Sequence, residues 1–138
     1  MGKKSALVTW MNGGKFVGTD SGQHSVVLST REEEQHVGMS PSELVLVAVA
    51  SCTAVDVVNI LQKKRLHLEA LEIAAEGEQA QDPPWPYEHI HLTYRLKGND
   101  LTEDAVEKAI ELSESRYCSV SASLKPQVKI TTSFEILS

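Results

Sequence analysis

Cysteine is scarce in this chain, with two in 138 residues, and features of export are scarcer still. Lys3 and Lys4 place positive charge near the start, but polar Thr9, Asn12 and Lys15 follow where a secretion signal would have an apolar run. The expectation is a cytoplasmic protein, in which thiols are kept reduced. Cys52 and Cys118 are then either inert core residues or chemistry, not a structural disulfide framework. Excess positive charge is also missing. A formal net charge of -6 lacks the clustered Lys and Arg that displace counterions from phosphates, so no nucleic-acid partner is expected. The one basic cluster, Lys63-Lys64-Arg65, follows an apolar stretch and suits the negative end of a helix dipole. No Gly-rich phosphate loop follows a strand, which removes nucleotide chemistry. Neither a Cys-x-x-Cys nor a His-Glu-x-x-His motif is present, so no resident metal is expected, and His89 and His91 read as exposed residues of one strand face.

What the chain does have is the size of one domain, residues 1–138, with 41% hydrophobic and 23% charged residues. A chain this short gains stability by burying an apolar element against a second subunit, so a homodimer is expected. Short alternating segments at 6–10, 15–19 and 24–29, separated by Asn12-Gly13-Gly14 and Asp20-Ser21-Gly22, predict an antiparallel meander. Residues 30–38, with Arg31 ahead of three successive glutamates, have no apolar face and predict an exposed loop. Ser40-Pro41-Ser42-Glu43 then starts a helix: Ser40 caps, Pro41 suits the first position and Glu43 completes a capping box.

From 44 to 61 the sequence is apolar on almost every face, which predicts a helix buried all round. A membrane span is not expected, because Asp56 and Asn59 break the run and its uncharged part is shorter than the roughly 20 residues a bilayer requires. Alternation at Leu71, Ile73 and Ala75, and again at Ile90, Leu92, Tyr94 and Leu96, predicts a hairpin whose wide loop contains Pro83, Pro84 and Pro86. Thr102-Glu103-Asp104 opens a second helix running to about Tyr117, and Val128, Ile130, Thr132, Phe134 and Ile136 alternate along a last strand. The order fits a two-layer α+β domain, with a strand meander and a second sheet around a buried central helix.

The polar residues of the apolar helix gather around one thiol: Ser51 and Thr53 flank Cys52, and Asp56 lies one turn on. A cysteine in an apolar helix is ordinarily a small core hydrophobe. Cys118, beside Arg116, Tyr117, Ser119 and Ser121, instead has the polar, cation-bearing setting of a resolving thiol. Asp56 should raise a neighbouring thiol's pKa, and it fits thiol chemistry best if it faces a cation across the dimer.

Ser40-Pro41-Ser42-Glu43-Leu44 leading to Ala50-Ser51-Cys52, together with Tyr117-Cys118-Ser119-Val120-Ser121, resembles the two cysteine motifs of the osmotically inducible protein / organic hydroperoxide resistance (OsmC/Ohr) family. The resemblance covers nearly the whole chain. It implies an OsmC-like fold, an intertwined homodimer, and reduction of organic hydroperoxides in preference to hydrogen peroxide. Cys52 would be the peroxidatic residue and Cys118 the resolving one, with no cofactor beyond an external dithiol, lipoyl-type or from another small protein. The family activates its thiol with an arginine from the loop ahead of the helix, for which Arg31 is the counterpart; Lys15 is the alternative, since some relatives keep their arginine in that hairpin. Glu43 either holds the arginine or only caps the helix. Two positions depart from the pattern, Ser42 where the family's glutamate belongs and Ser119 where a proline usually follows the cysteine. Val49 and Val55 beside the thiol would favour an alkyl peroxide. A dimeric member that binds a small apolar ligand without turnover, or senses redox state through the same disulfide, is the competing reading.

Overall fold

Turn chemistry and alternation build the first part of the chain. The structure, a computed structural model, describes residues 2–30 and 37–138. Strands β1 (Ala6–Trp10), β2 (Lys15–Asp20) and β3 (Ser25–Ser29) form the expected antiparallel meander in the order β1-β2-β3. The first turn runs through Asn12 and Gly13, both at positive φ, where only a residue tolerant of the left-handed region fits. The second is closed by Asp20, whose carboxylate accepts the backbone N–H groups of Gly22 and His24.

Helix α1 (Pro41–Lys63) begins at the predicted capping box: Glu43 N–H donates to Ser40 Oγ at 3.3 Å, and Ser40 Oγ–H donates to the Glu43 carboxylate at 2.8 Å. It ends at the basic cluster, where Arg65 adopts a φ of 61° and Leu66 N–H returns to Leu61 O. The expectation of burial on every side is not met. Val49, Thr53, Val57 and Leu61 are buried at four-residue spacing, while Glu43, Val47, Ser51, Val55 and Asn59 form an exposed stripe at the same spacing. Composition could not distinguish the two faces, because valine occurs on both.

The chain sorts into two compact units, Met1–Val45 and Leu46–Ser138, with the boundary inside α1. In the second unit, β4 (Leu68–Gln79) and β5 (Tyr87–Gly98) form a long antiparallel hairpin, and β6 (Lys129–Leu137) pairs with β5 in parallel. The sheet order is β4-β5-β6. The parallel pairing demands a crossover, supplied by α2 (Glu103–Leu112), a π-helical turn (Ser113–Tyr117) and α3 (Ser119–Leu124). The second helix was expected to run regularly to Tyr117; instead it widens into the π turn at Ser113, and α3 follows. Thr102 caps α2 through Ala105 N–H.

On the central strand the predicted alternation holds: Ile90, Leu92, Tyr94 and Leu96 are fully buried and pack with Val49, Val57, Leu61, Val106 and Ala109 into one core. Helix α1 has the length and apolarity of a membrane span, and its Val49, Val57 and Leu61 pack into this core. His89 and His91 lie on the other sheet face, half-buried, and share the Thr131 hydroxyl at 2.7 Å each.

Candidate active site

Cys52 sits on the fourth turn of α1 and Cys118 at the end of the π turn, and the fold brings them together. Cys52 Sγ, an Asp56 carboxylate oxygen and Cys118 Sγ all lie within 4.8 Å of one another. Both thiols are free; Cys52 is half-buried, and Cys118 is only 3% exposed. Helical geometry explains the first pair, since Cys52 and Asp56 are four residues apart and so share a face. The π turn explains the third member. Its wider ring returns Cys118 N–H to Ser113 O at 2.8 Å, then releases the chain into an extended residue from which α3 starts.

The two thiols are pushed in opposite directions. Burial raises the Cys52 pKa, but hydrogen bonds from Val120 N–H, the Cys118 thiol, and the hydroxyl and N–H of Ser119 outweigh it and hold Cys52 below the ordinary thiol value. The Ser119 hydroxyl lies 3.9 Å from Cys52 Sγ. Ser119, where the family pattern has proline, thus supplies both a hydroxyl and an N–H that proline lacks. Cys118 is held above its ordinary value, first by burial and then by the neighbouring Cys52, against the hydrogen bonds of Ser121. Ser121 N–H lies 3.4 Å from Cys118 Sγ, and its hydroxyl reaches Glu114, which pairs with Lys125 Nζ at 3.3 Å.

Asp56 was expected to face a cation across the dimer; within the chain, among the described residues, its Oδ2 accepts the Ser113 hydroxyl at 2.7 Å and no cation pairs with it. Ser113 Oγ lies 2.9 Å from Thr53 Oγ1, which lies 2.8 Å from Tyr94 Oη. Each hydroxyl has one hydrogen, so the direction of the chain is fixed. Ser113 donates to Asp56, Thr53 to Ser113 and Tyr94 to Thr53. Burial raises the Tyr94 pKa, with Glu114, Cys118 and Asp56 adding to the effect, which keeps the phenol a donor.

Sequence reasoning missed this chain, although a trace of it was visible. Thr53 and Ser113 are polar residues on otherwise buried faces, and Tyr94 is the one polar-tipped residue among the four alternating core residues of β5. Of the other predicted residues, Arg31 lies outside the described residues. Glu43 belongs to the first compact unit, where its side chain is engaged in the capping box. Lys15 opens β2. Arg116 is exposed. Val49 is fully buried in the core, whereas Val55 is 60% exposed.

Comparison with known proteins agrees with this architecture. Residues 32–133 match the OsmC-like protein family. The chain is 36% identical over 132 residues to Protein YhfA of Escherichia coli (strain K12), covering 96% of this chain and 97% of that one. A solved hypothetical protein from Aquifex aeolicus VF5 is 31% identical, covers 99% of this chain and 98% of its own, and superposes with a TM-score of 0.88. The fold extends to the organic hydroperoxide resistance protein OhrB of Bacillus subtilis, at 12% identity, with 96% and 98% of the two chains covered and a TM-score of 0.68. This α+β chain, with two three-stranded sheets and a long thiol-bearing helix, belongs to the OsmC-like protein family.

Proposed function

We propose that the chain is a cytoplasmic, homodimeric thiol peroxidase that reduces organic hydroperoxides in oxidative stress defence, using Cys52 and Cys118 and no resident cofactor. The observation that carries this reading is the pair itself: two free thiols within 4.8 Å, the more accessible one held below the ordinary thiol pKa and the buried one above it. That is the division of labour a two-cysteine cycle requires. The match to the family over residues 32–133, across the boundary of the compact units, supports treating 1–138 as one domain.

The Cys52 thiolate attacks the outer oxygen of the hydroperoxide. An S–O bond forms, the O–O bond breaks, and the alkoxide leaves as the alcohol after taking a proton. Cys118 sulfur then attacks the Cys52 sulfenic acid, forming the disulfide and releasing water, and Asp56 is placed to take the Cys118 proton. An external dithiol, lipoyl-type or carried by a small protein, returns both thiols by exchange. Arg31 is the proposed cation for the developing negative charge, with Glu43 as its holder and Lys15 as the alternative. Arg31→Ala is expected to slow turnover about a hundredfold, the usual cost of one such donor.

The test is dithiol-dependent consumption of tert-butyl and cumene hydroperoxide against hydrogen peroxide. Rapid loss of the organic peroxides that vanishes in Cys52→Ser is expected, and Cys118→Ser should accumulate a Cys52 sulfenic acid. No consumption by the wild type, with both thiols slow to oxidise, would sink the peroxidase in favour of a binding or sensing role.

A further inference from the structure

We propose that the reduced chain binds one thiophilic divalent cation, with zinc as its type, through Cys52, Cys118 and Asp56. No metal was expected from sequence, because Cys52 and Asp56 are only two ligands and the third, Cys118, lies far along the chain. The fold creates the set. Tetrahedral zinc with Zn–S of about 2.3 Å and Zn–O of about 2.1 Å needs its ligand atoms roughly 3.5–3.8 Å apart. The three atoms here, all within 4.8 Å of one another, reach that by closing about an ångström or less.

Three further features suit a cation. Cys52 and Asp56 stand on adjacent turns of one helix face, the placement by which two residues four apart address a single ion. Asp56 is held by the Ser113 hydroxyl, itself bonded to Thr53 and through it to Tyr94, and such outer hydrogen bonds are what fix a ligating carboxylate. The carboxylate has no cationic partner among the described residues, although Lys63 and Lys64 line the same 460 Å³ cavity. Two thiolates and a carboxylate leave one tetrahedral position for a water, and Asp56 lines that open cavity.

Hard cations such as magnesium and calcium are disfavoured by the two sulfurs, whereas zinc accepts S₂O ligation with a water. Oxidation to the disulfide removes two of the three ligands, so only the reduced chain holds the ion, and the ion in turn shields Cys52. The inference does not rest on peroxidase turnover.

It is tested on the reduced full chain, without peroxide, by titrating Co²⁺ anaerobically and displacing it with Zn²⁺ in competition with a chromophoric chelator. One ion per chain is expected, with a thiolate-to-cobalt charge-transfer band that zinc abolishes and with both thiols protected from iodoacetamide. Cys118→Ser should lose the ion. Ser113→Ala, checked for folding by circular dichroism, should weaken affinity about tenfold through the loosened carboxylate. Absence of the band in the wild type, or equal affinity in Cys52→Ser, Cys118→Ser and Asp56→Asn, overturns the site. A wild type that consumes peroxide yet shows no band overturns this inference alone; one that binds the ion without turnover leaves it standing and removes only the peroxidase.

Discussion

At the scale of single residues, hydrogen bonds from close neighbours hold the Cys52 thiol below its ordinary pKa. The hydroxyl and N–H of Ser119, the N–H of Val120 and the Cys118 thiol outweigh the burial of Cys52. Because the folded pKa is lowered, the thiolate is present at a pH where an ordinary cysteine is still protonated, and reactivity falls as pH drops through that lowered value. Alkylation of Cys52 followed against pH should therefore level off below the usual thiol range, and in Ser119→Ala the midpoint should move upward. Cys118 should show the reverse, reacting only at higher pH, since burial and the adjacent Cys52 raise it. Mass-resolved iodoacetamide rates on the two cysteines separate the curves; identical midpoints would remove the division of roles between them.

At the scale of elements, the site depends on a strand, a long helix and a π turn joined by the hydroxyls of Tyr94, Thr53 and Ser113. Thr53 is the middle link, so Thr53→Val leaves the buried Tyr94 hydroxyl without its acceptor and should cost about 1–3 kcal/mol. Tyr94→Phe removes the donor and leaves Thr53 still bonded to Ser113, so about 0.5–1.5 kcal/mol is expected. Urea denaturation midpoints at unchanged slope measure both, and the order of the two losses is the point at issue. The capping box at Ser40, the alternation in β5 and the turn at Asn12-Gly13 were all readable from sequence, because each is decided by neighbours a few residues apart. The π turn was not, because nothing in Ser113-Glu114-Ser115-Arg116-Tyr117 disfavours an ordinary helix. What selects the wider turn is a long-range demand, the placing of Ser113 against Thr53 and Asp56. The meeting of Cys52 with Cys118 was likewise invisible to spacing and reachable only by resemblance.

At the scale of the whole molecule, each compact unit leaves apolar surface that a lone chain does not cover. In the first unit every residue of β1 is exposed, Leu7, Val8 and Trp10 above 60%, and Leu28 is its only buried hydrophobic residue among those described. A three-stranded sheet with so little core is marginal alone. In the second unit the open stripe of α1 carries Val47 and Val55 at 46% and 60% exposure. In the proposed homodimer, a self-complementary pairing through a two-fold axis would cover the same surfaces on each partner. The wild type should therefore sediment at twice the 15.1 kDa chain mass. Placing a carboxylate in the stripe by Val55→Glu would bury charge at the contact, so the dimer should weaken by more than tenfold and the apparent melting temperature at a given chain concentration should fall. Val55→Thr, nearly the same size and uncharged, should keep the dimer at micromolar chain. Sedimentation equilibrium on the three proteins decides it: a wild type that runs as a 15.1 kDa monomer would leave the exposed valines of α1 without the partner proposed for them.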